Sequence, residues 1–379
     1  MKYTYIALIA VLFCSCNRKG KIEFTGSTPG VKEGVFTVKT LTDSTIYGAN
    51  IKNEKFALEP KQLSEPGYYK LDVSTSDTTD KHDPFEVYLE PGKYTIETEA
   101  GKLYQYPKIT SPSKIQEQLS AFYTLSDKMS LATEQEAMEL HKQIKTQSAR
   151  LSTEAFNNLL YKVSETEKKM HDNNVNAFKA FLKQYPQSEI STHLMSKLNY
   201  EDDPVSYYAI YQTLTPAAKN TDEGKEIGDK LSHLIKLVAG IKAPAIQGKT
   251  PDGKPFDPKT INKKLIVIDF WRAGNDFSRQ NHQQLIQLLA EGDNKDKIAI
   301  VSVSLDSKPD WWTTAIKDDH LSWTQVSDLK GDDSPNAVNW SITKIPTYYL
   351  LDNNWTIIQP NIEIASVGLE ISDYLKKHR

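Results

Sequence analysis

The stretch LIVIDFWRAGNDFSR, Leu265 to Arg279, constrains this chain more than any other. Leu265, Ile266, Val267, Ile268, Phe270 and Trp271 form an apolar run broken only by Asp269. Continuous runs of this kind suit a strand covered on both faces, as in a mostly parallel sheet. The turn Ala273-Gly274-Asn275-Asp276 follows, in residues that bend the chain and cap helices. Beyond it Phe277, Leu285, Ile286 and Leu288 mix with polar residues as on an amphipathic helix. A strand-turn-helix junction is where α/β folds place their chemistry.

A length of 379 residues allows two or three domains. A net charge of −3 gives no global electrostatic reason to bind nucleic acid or an anionic membrane. The 39% hydrophobic and 10% aromatic content is that of folded domains.

Both cysteines, Cys14 and Cys16, follow the apolar run Tyr3 to Phe13, with Lys2 ahead of it. The run is too short to span a bilayer comfortably and reads as a secretory signal. The segment LFCSC resembles a bacterial lipobox, which implies cleavage before Cys16 and lipidation of its thiol. An ordinary signal peptide with incidental cysteines is the alternative. Residues 17–21 then form a basic tether without the acidic run of surface-exported lipoproteins, so the expected location is a periplasm-facing envelope anchor. A mature chain of that kind holds no free thiol, no disulfide and no cysteine-based metal site.

The rest of the chain falls into three parts. Residues 17–110 are β-rich, with Val35-Phe36-Thr37-Val38 and Phe85-Glu86-Val87-Tyr88-Leu89 as strands between Pro-Gly turns. Short strands at that spacing suggest a sandwich-like all-β domain. Residues 111–239 are helical, with Leu119, Phe122, Leu125 and Met129 on one face and an apparent break at Asn173-Asn174. Residues 240–379 alternate strands such as Ile298–Ser304 and Thr347–Asp352 with helices, one of them with Asp310 as its expected cap. The fold class is therefore multidomain: all-β, then helical, then α/β.

The last part, with IKAPAIQGKTPDGKPFD, LIVIDFW, IVSVSLD, WTQVSD and KIPTYYLLD, resembles the thioredoxin-like domain of TlpA-like thiol-disulfide oxidoreductases and of related peroxidase families. Upstream, FEVYLEPGKYTIET and FLKQYPQSEIS resemble the β-domain and helical linker that precede such domains in Bacteroidetes lipoproteins. The family works through Cys-x-x-Cys at the start of the helix after the first core strand, where the helix N-terminus stabilises thiolate. In this chain those positions fall on Asn275 and Ser278, and Gly274 replaces the usual tryptophan. Neither side chain can form a disulfide or serve as a peroxidatic thiol. The redox reaction implied by the family does not carry over.

Two remnants of the family site are left. Asp269 aligns with its buried acid, read either as a carboxylate of raised pKa beneath Ser278 or as a tolerated polar residue bonded to Ser278 or water. Pro346 aligns with its cis-proline, and Asn275, Asp276, Ile345, Pro346 and Thr347 form the candidate peptide-binding face. The eight histidines lack metal-ligand spacing and read as single exposed residues, and no phosphate-binding loop, hydrolase elbow or cofactor motif is present.

The leading expectation is a lipid-anchored envelope protein with no redox catalysis, no cofactor and no metal, binding a protein or extended peptide. One alternative is catalysis by a thiol-free route through Asp269, Ser278 and His282. The other is a scaffold whose function lies in the β-domain.

Overall fold

The computed structural model describes residues 20–75, 82–147, 150–292 and 294–378. Cys16 and the signal segment lie outside the described residues. Packing divides the chain into two compact units. The first runs to Leu198 and takes in Leu214–Ala218; the second comprises Asn199–Thr213 and the chain from Lys219 onward.

In the first unit, β1 (Lys21–Ser27), β2 (Glu33–Lys39), β3 (Thr45–Lys52), β4 (Lys55–Gln62), β5 (Gly67–Ser74), β6 (Phe85–Leu89), β7 (Gly92–Glu97) and β8 (Lys108–Thr110) make one sheet. Its order is β6-β5-β2-β3-β4-β1-β7-β8. Neighbours are antiparallel except β1 and β7. Instead of the sandwich expected from the strand pattern, this one sheet curls round its own core. Strands β1 and β2 are three positions apart, about 14 Å across a flat sheet. Yet the rings of Phe24 on β1 and Phe36 on β2 are 5.3 Å apart. Curling brings the inward faces together and buries them as one cluster.

Two long helices follow, α1 (Lys114–Gln147) and α2 (Thr153–Gln184), and then the short α3 (Ser191–Ser196). Asn173 and Asn174 do not break α2. Asn174 Oδ1 accepts from Ser130 Oγ at 2.9 Å, and Asn173 Nδ2 donates to Thr133 Oγ1 at 3.1 Å. With partners on α1, these amides do not compete for the backbone of their own helix. The chain continues through α4 (Pro204–Thr213), the single turn α5 (Pro216–Lys219) and α6 (Asp222–Leu234).

The second unit is built on β9 (Leu265–Trp271), α7 (Asp276–Ala290), α8 (Asn294–Lys297), β10 (Ile298–Ser304), α9 (Pro309–Asp318), β11 (Thr324–Ser327), α10 (Pro335–Asn339), β12 (Thr347–Asp352), β13 (Ile357–Ile362) and α11 (Ile364–Lys377). The sheet order is β11-β10-β9-β12-β13. Strands β9, β10 and β11 are parallel, and β12 and β13 close the sheet as an antiparallel pair.

Every residue of β9 is buried, which is why its sequence shows no polar face. Leu265 and Val267 pack with Leu285, Leu288, Val367 and Ile371 of α7 and α11. Ile266, Ile268 and Phe270 point the other way, onto Trp340 and Tyr349. Alternation places Asp269 on the α7 side. In α9 the N-cap is Lys308 rather than Asp310; Pro309 sets the first helical residue and leaves Asp310 in the first turn.

Candidate functional site

The turn between β9 and α7 is held from three sides. The Ala273 N–H donates to both Asp306 carboxylate oxygens, at 3.2 and 3.0 Å. Asn275 caps α7, its Oδ1 accepting from Ser278 N at 2.9 Å. Its Nδ2 donates at 3.4 Å to Ile345 O, the carbonyl just before the cis Ile345-Pro346 bond. The position implied for the first cysteine thus holds a side chain that joins helix start and proline loop.

The other candidates are spread over surface and core. Asp276 is exposed, and Ile345 and Pro346 are half-buried. The Thr347 side chain is buried, Oγ1 donating to Lys344 O at 2.6 Å, so it is not presented on the surface. Ser278 has no exposed surface, and its hydroxyl has no hydrogen-bond partner. Beside Asn275, Phe277 is 69% exposed, and Trp311 near the start of α9 is 56% exposed under the Lys308 ammonium.

Beneath the turn lies a charged network that the sequence did not announce. Asp269 does not bond Ser278; its Oδ2 accepts from Ser302 Oγ at 2.6 Å, and Ser302 in turn accepts from Trp323 Nε1 at 2.8 Å. His282 Nε2 is 3.6 Å from the same Asp269 oxygen. On its other side His282 Nδ1 is 2.7 Å from Asp319 Oδ2. Arg279 grips that carboxylate as a fork, Nε at 2.5 Å and Nη2 at 2.6 Å, while its Nη1 reaches Ala273 O.

Asp269 and His282 have no exposed surface. Burial disfavours a charged imidazole, but the hydrogen bonds and charges of Asp269 and Asp319 outweigh it and raise His282 above its ordinary pKa. Asp319 is lowered: burial opposes its charge, and Arg279 and His282 overcome that cost.

From the sequence pattern the histidines read as single exposed residues, and His282 stood beside Asp269 and Ser278 only as an alternative; the structure buries it. A signal was present. Ser278, His282, Leu285 and Leu288 follow one another at spacings of four and three, a single buried stripe of α7. Asp319 carried no local signal, because only the tertiary fold brings the end of α9 against α7.

No family model and no curated protein matches the chain. Solved structures do. The chain is 27% identical to a thiol-disulfide oxidoreductase from Bacteroides fragilis, over 36% of its own length and 99% of that chain, with a TM-score of 0.32. It is 26% identical to the thioredoxin domain of a thiol-disulfide oxidoreductase from Bacteroides vulgatus, over 38% and 98%, with a TM-score of 0.32. A thioredoxin-like protein from Bacteroides caccae aligns over 62% of this chain and 87% of its own at 15% identity, with a TM-score of 0.46.

The C-terminal α/β region matches thioredoxin-like structures. In residues 240–379 no cysteine is present, both cysteines of the chain being Cys14 and Cys16. Thiol chemistry has no reagent there. Among the described residues no group of three or more His, Cys, Asp or Glu is placed to hold a metal ion, and no helix is long and apolar enough to cross a membrane.

Proposed function

We propose that this chain is an envelope lipoprotein, anchored through Cys16, whose thioredoxin-like region binds protein or extended peptide without redox catalysis. The observation that carries the reading is Asn275. At the position the family resemblance gives to the attacking thiol, it spends its side chain joining the start of α7 to the carbonyl before Pro346. The exposed ring of Phe277 and the open space beside Gly274 leave an accessible apolar surface at that junction. The alternative of thiol-free catalysis through Asp269, Ser278 and His282 has little support, because all three are buried and Ser278 bonds neither partner.

The test uses the purified mature chain. Disulfide-reduction and peroxidase assays are expected to give no turnover above a protein-free control. A partner recovered from envelope membranes is expected to be lost in Phe277→Ser and weakened in Asn275→Ala. Robust redox turnover overturns the reading, and so does partner recovery that ignores both substitutions.

A further inference from the structure

A trough lies at the opposite end of the same sheet. Strand β12 runs antiparallel to β9, with Thr347 opposite Phe270 and Asp352 opposite Leu265. The turn after β12 is therefore at the far edge from Asn275. There a trough of about 780 Å3 opens between the Lys242–Ile246 segment, Phe256, Ile261 and that turn.

Its apolar wall is set by an unusual residue. Trp355 has φ +61, a left-handed conformation that bulky side chains rarely adopt. The turn is locked around it, with Asp352 Oδ1 accepting from Asn354 N and Thr356 N at 2.8 Å each. Glycine would hold that conformation without cost. The indole instead lines the trough, 6.0 Å from the ring of Phe256.

The backbone beside the trough is free. Pairing with the turn reaches Ala243, whose N–H donates to Trp355 O at 2.8 Å. Pairing resumes at Gln247, bonded through both N–H and C=O to Asn336. Among the described residues the N–H groups of Ala245 and Ile246 between them meet no acceptor. Pro244 fixes its own φ and keeps Ala243 extended. Unpaired backbone of this kind is a template for another strand.

The charges are one-sided. Lys242 and Lys259 line the trough and no lining residue is acidic; the Lys242 ammonium is held at the rim by donating to Asn354 O at 2.6 Å, with its other N–H groups left for a ligand.

From these features we infer that the trough takes an extended peptide from another protein, with apolar alternate side chains and a C-terminal carboxylate. Its backbone pairs with the one of Ala245 and Ile246 whose N–H and C=O face the trough, its side chains lie against Trp355 and Phe256, and its carboxylate meets Lys242 and Lys259. This is strand addition with pockets for alternate side chains. It stands apart from the Asn275 surface.

The probe is a short N-acetylated peptide alternating leucine and serine and ending in a free leucine carboxylate. Calorimetry and hydrogen exchange on the mature chain are expected to show saturable binding and slowed exchange at Ala245 or Ile246, whichever N–H faces the trough. Amidating the peptide, or making Lys242→Gln with Lys259→Gln, weakens binding by about tenfold, the loss of one charge-assisted contact. Trp355→Gly, at a backbone conformation that glycine adopts freely, removes most of the binding; Asn275→Ala leaves the binding unchanged. The proposal is overturned by no saturable binding, by binding with unchanged exchange at Ala245 and Ile246, or by decanoate binding in the peptide's place.

Discussion

His282 Nδ1 lies 2.7 Å from Asp319 Oδ2, and the imidazole is shut off from solvent. The pair makes stability depend on pH in a definite direction. The folded pKa of His282 is raised, so its contribution is complete below the ordinary histidine value and fades as pH rises through the raised one. The folded pKa of Asp319 is lowered, so its contribution is complete above the ordinary carboxylate value and fades as pH falls through the lowered one. Denaturant midpoints measured across pH should therefore be highest between the carboxylate and histidine ranges. In His282→Gln the decline on the alkaline side of that maximum should vanish.

Removing Asp319 leaves the buried His282 without its hydrogen-bonded carboxylate, while the half-exposed Arg279 recovers part of its loss in solvent. Asp319→Asn is expected to cost roughly 1.5–3 kcal/mol, the usual range for losing a hydrogen bond to a charged group. Replacing Asp319 and Arg279 together by Asn and Met should cost less than Asp319→Asn alone. A double-mutant cycle in urea measures the coupling, and strict additivity would count against the network.

Much of this unit was legible in the chain. The apolar run Leu265–Trp271, broken only by Asp269, required a strand buried on both faces, and β9 is one. Asn275 read as a cap because its short amide can accept from the first turn, and it does so. What could not be read was anything decided by distant packing. His282 could be grouped with Asp269 from the sequence, but the carboxylate on its other side, Asp319, could not, since it is contributed by the end of α9. The asparagine pair in α2 looked like a break because its partners, Ser130 and Thr133, lie about forty residues earlier. The curl of the first sheet depends on which strands meet across it, and strand spacing alone does not fix that.

The cap at Asn275 makes a smaller prediction that separates its two bonds. Asn275→Asp keeps the acceptor for Ser278 N and places a negative charge at the helix N-terminus, but loses the donor to Ile345 O. Asn275→Ala loses both and is expected to cost about 1 kcal/mol, as N-cap removal does. Asn275→Asp should cost less. If the aspartate variant proves as unstable as the alanine variant, the bond to the proline loop matters more than the cap.

The first unit has its own buried charge. Glu86 on β6 accepts from His193 Nε2 at 3.0 Å and lies 2.8 Å from Lys197 Nζ, while the His193 ring stacks on Tyr68 at 3.7 Å. Burial opposes the charge on Glu86, and the hydrogen bonds and charges of His193 and Lys197 overcome it and lower its pKa. These contacts tie β6 to α3 and the residue that follows it. Their stabilisation is present above the ordinary glutamate range and lost as pH falls through the lowered value. Glu86→Gln should therefore flatten the acid limb of unfolding for this unit, read by hydrogen exchange in β6 and α3. The alkaline limb assigned to His282 should be unaffected, because that histidine belongs to the other unit. Were Glu86→Gln to move both limbs together, unfolding would be a single transition, and the two buried networks could not be treated as independent.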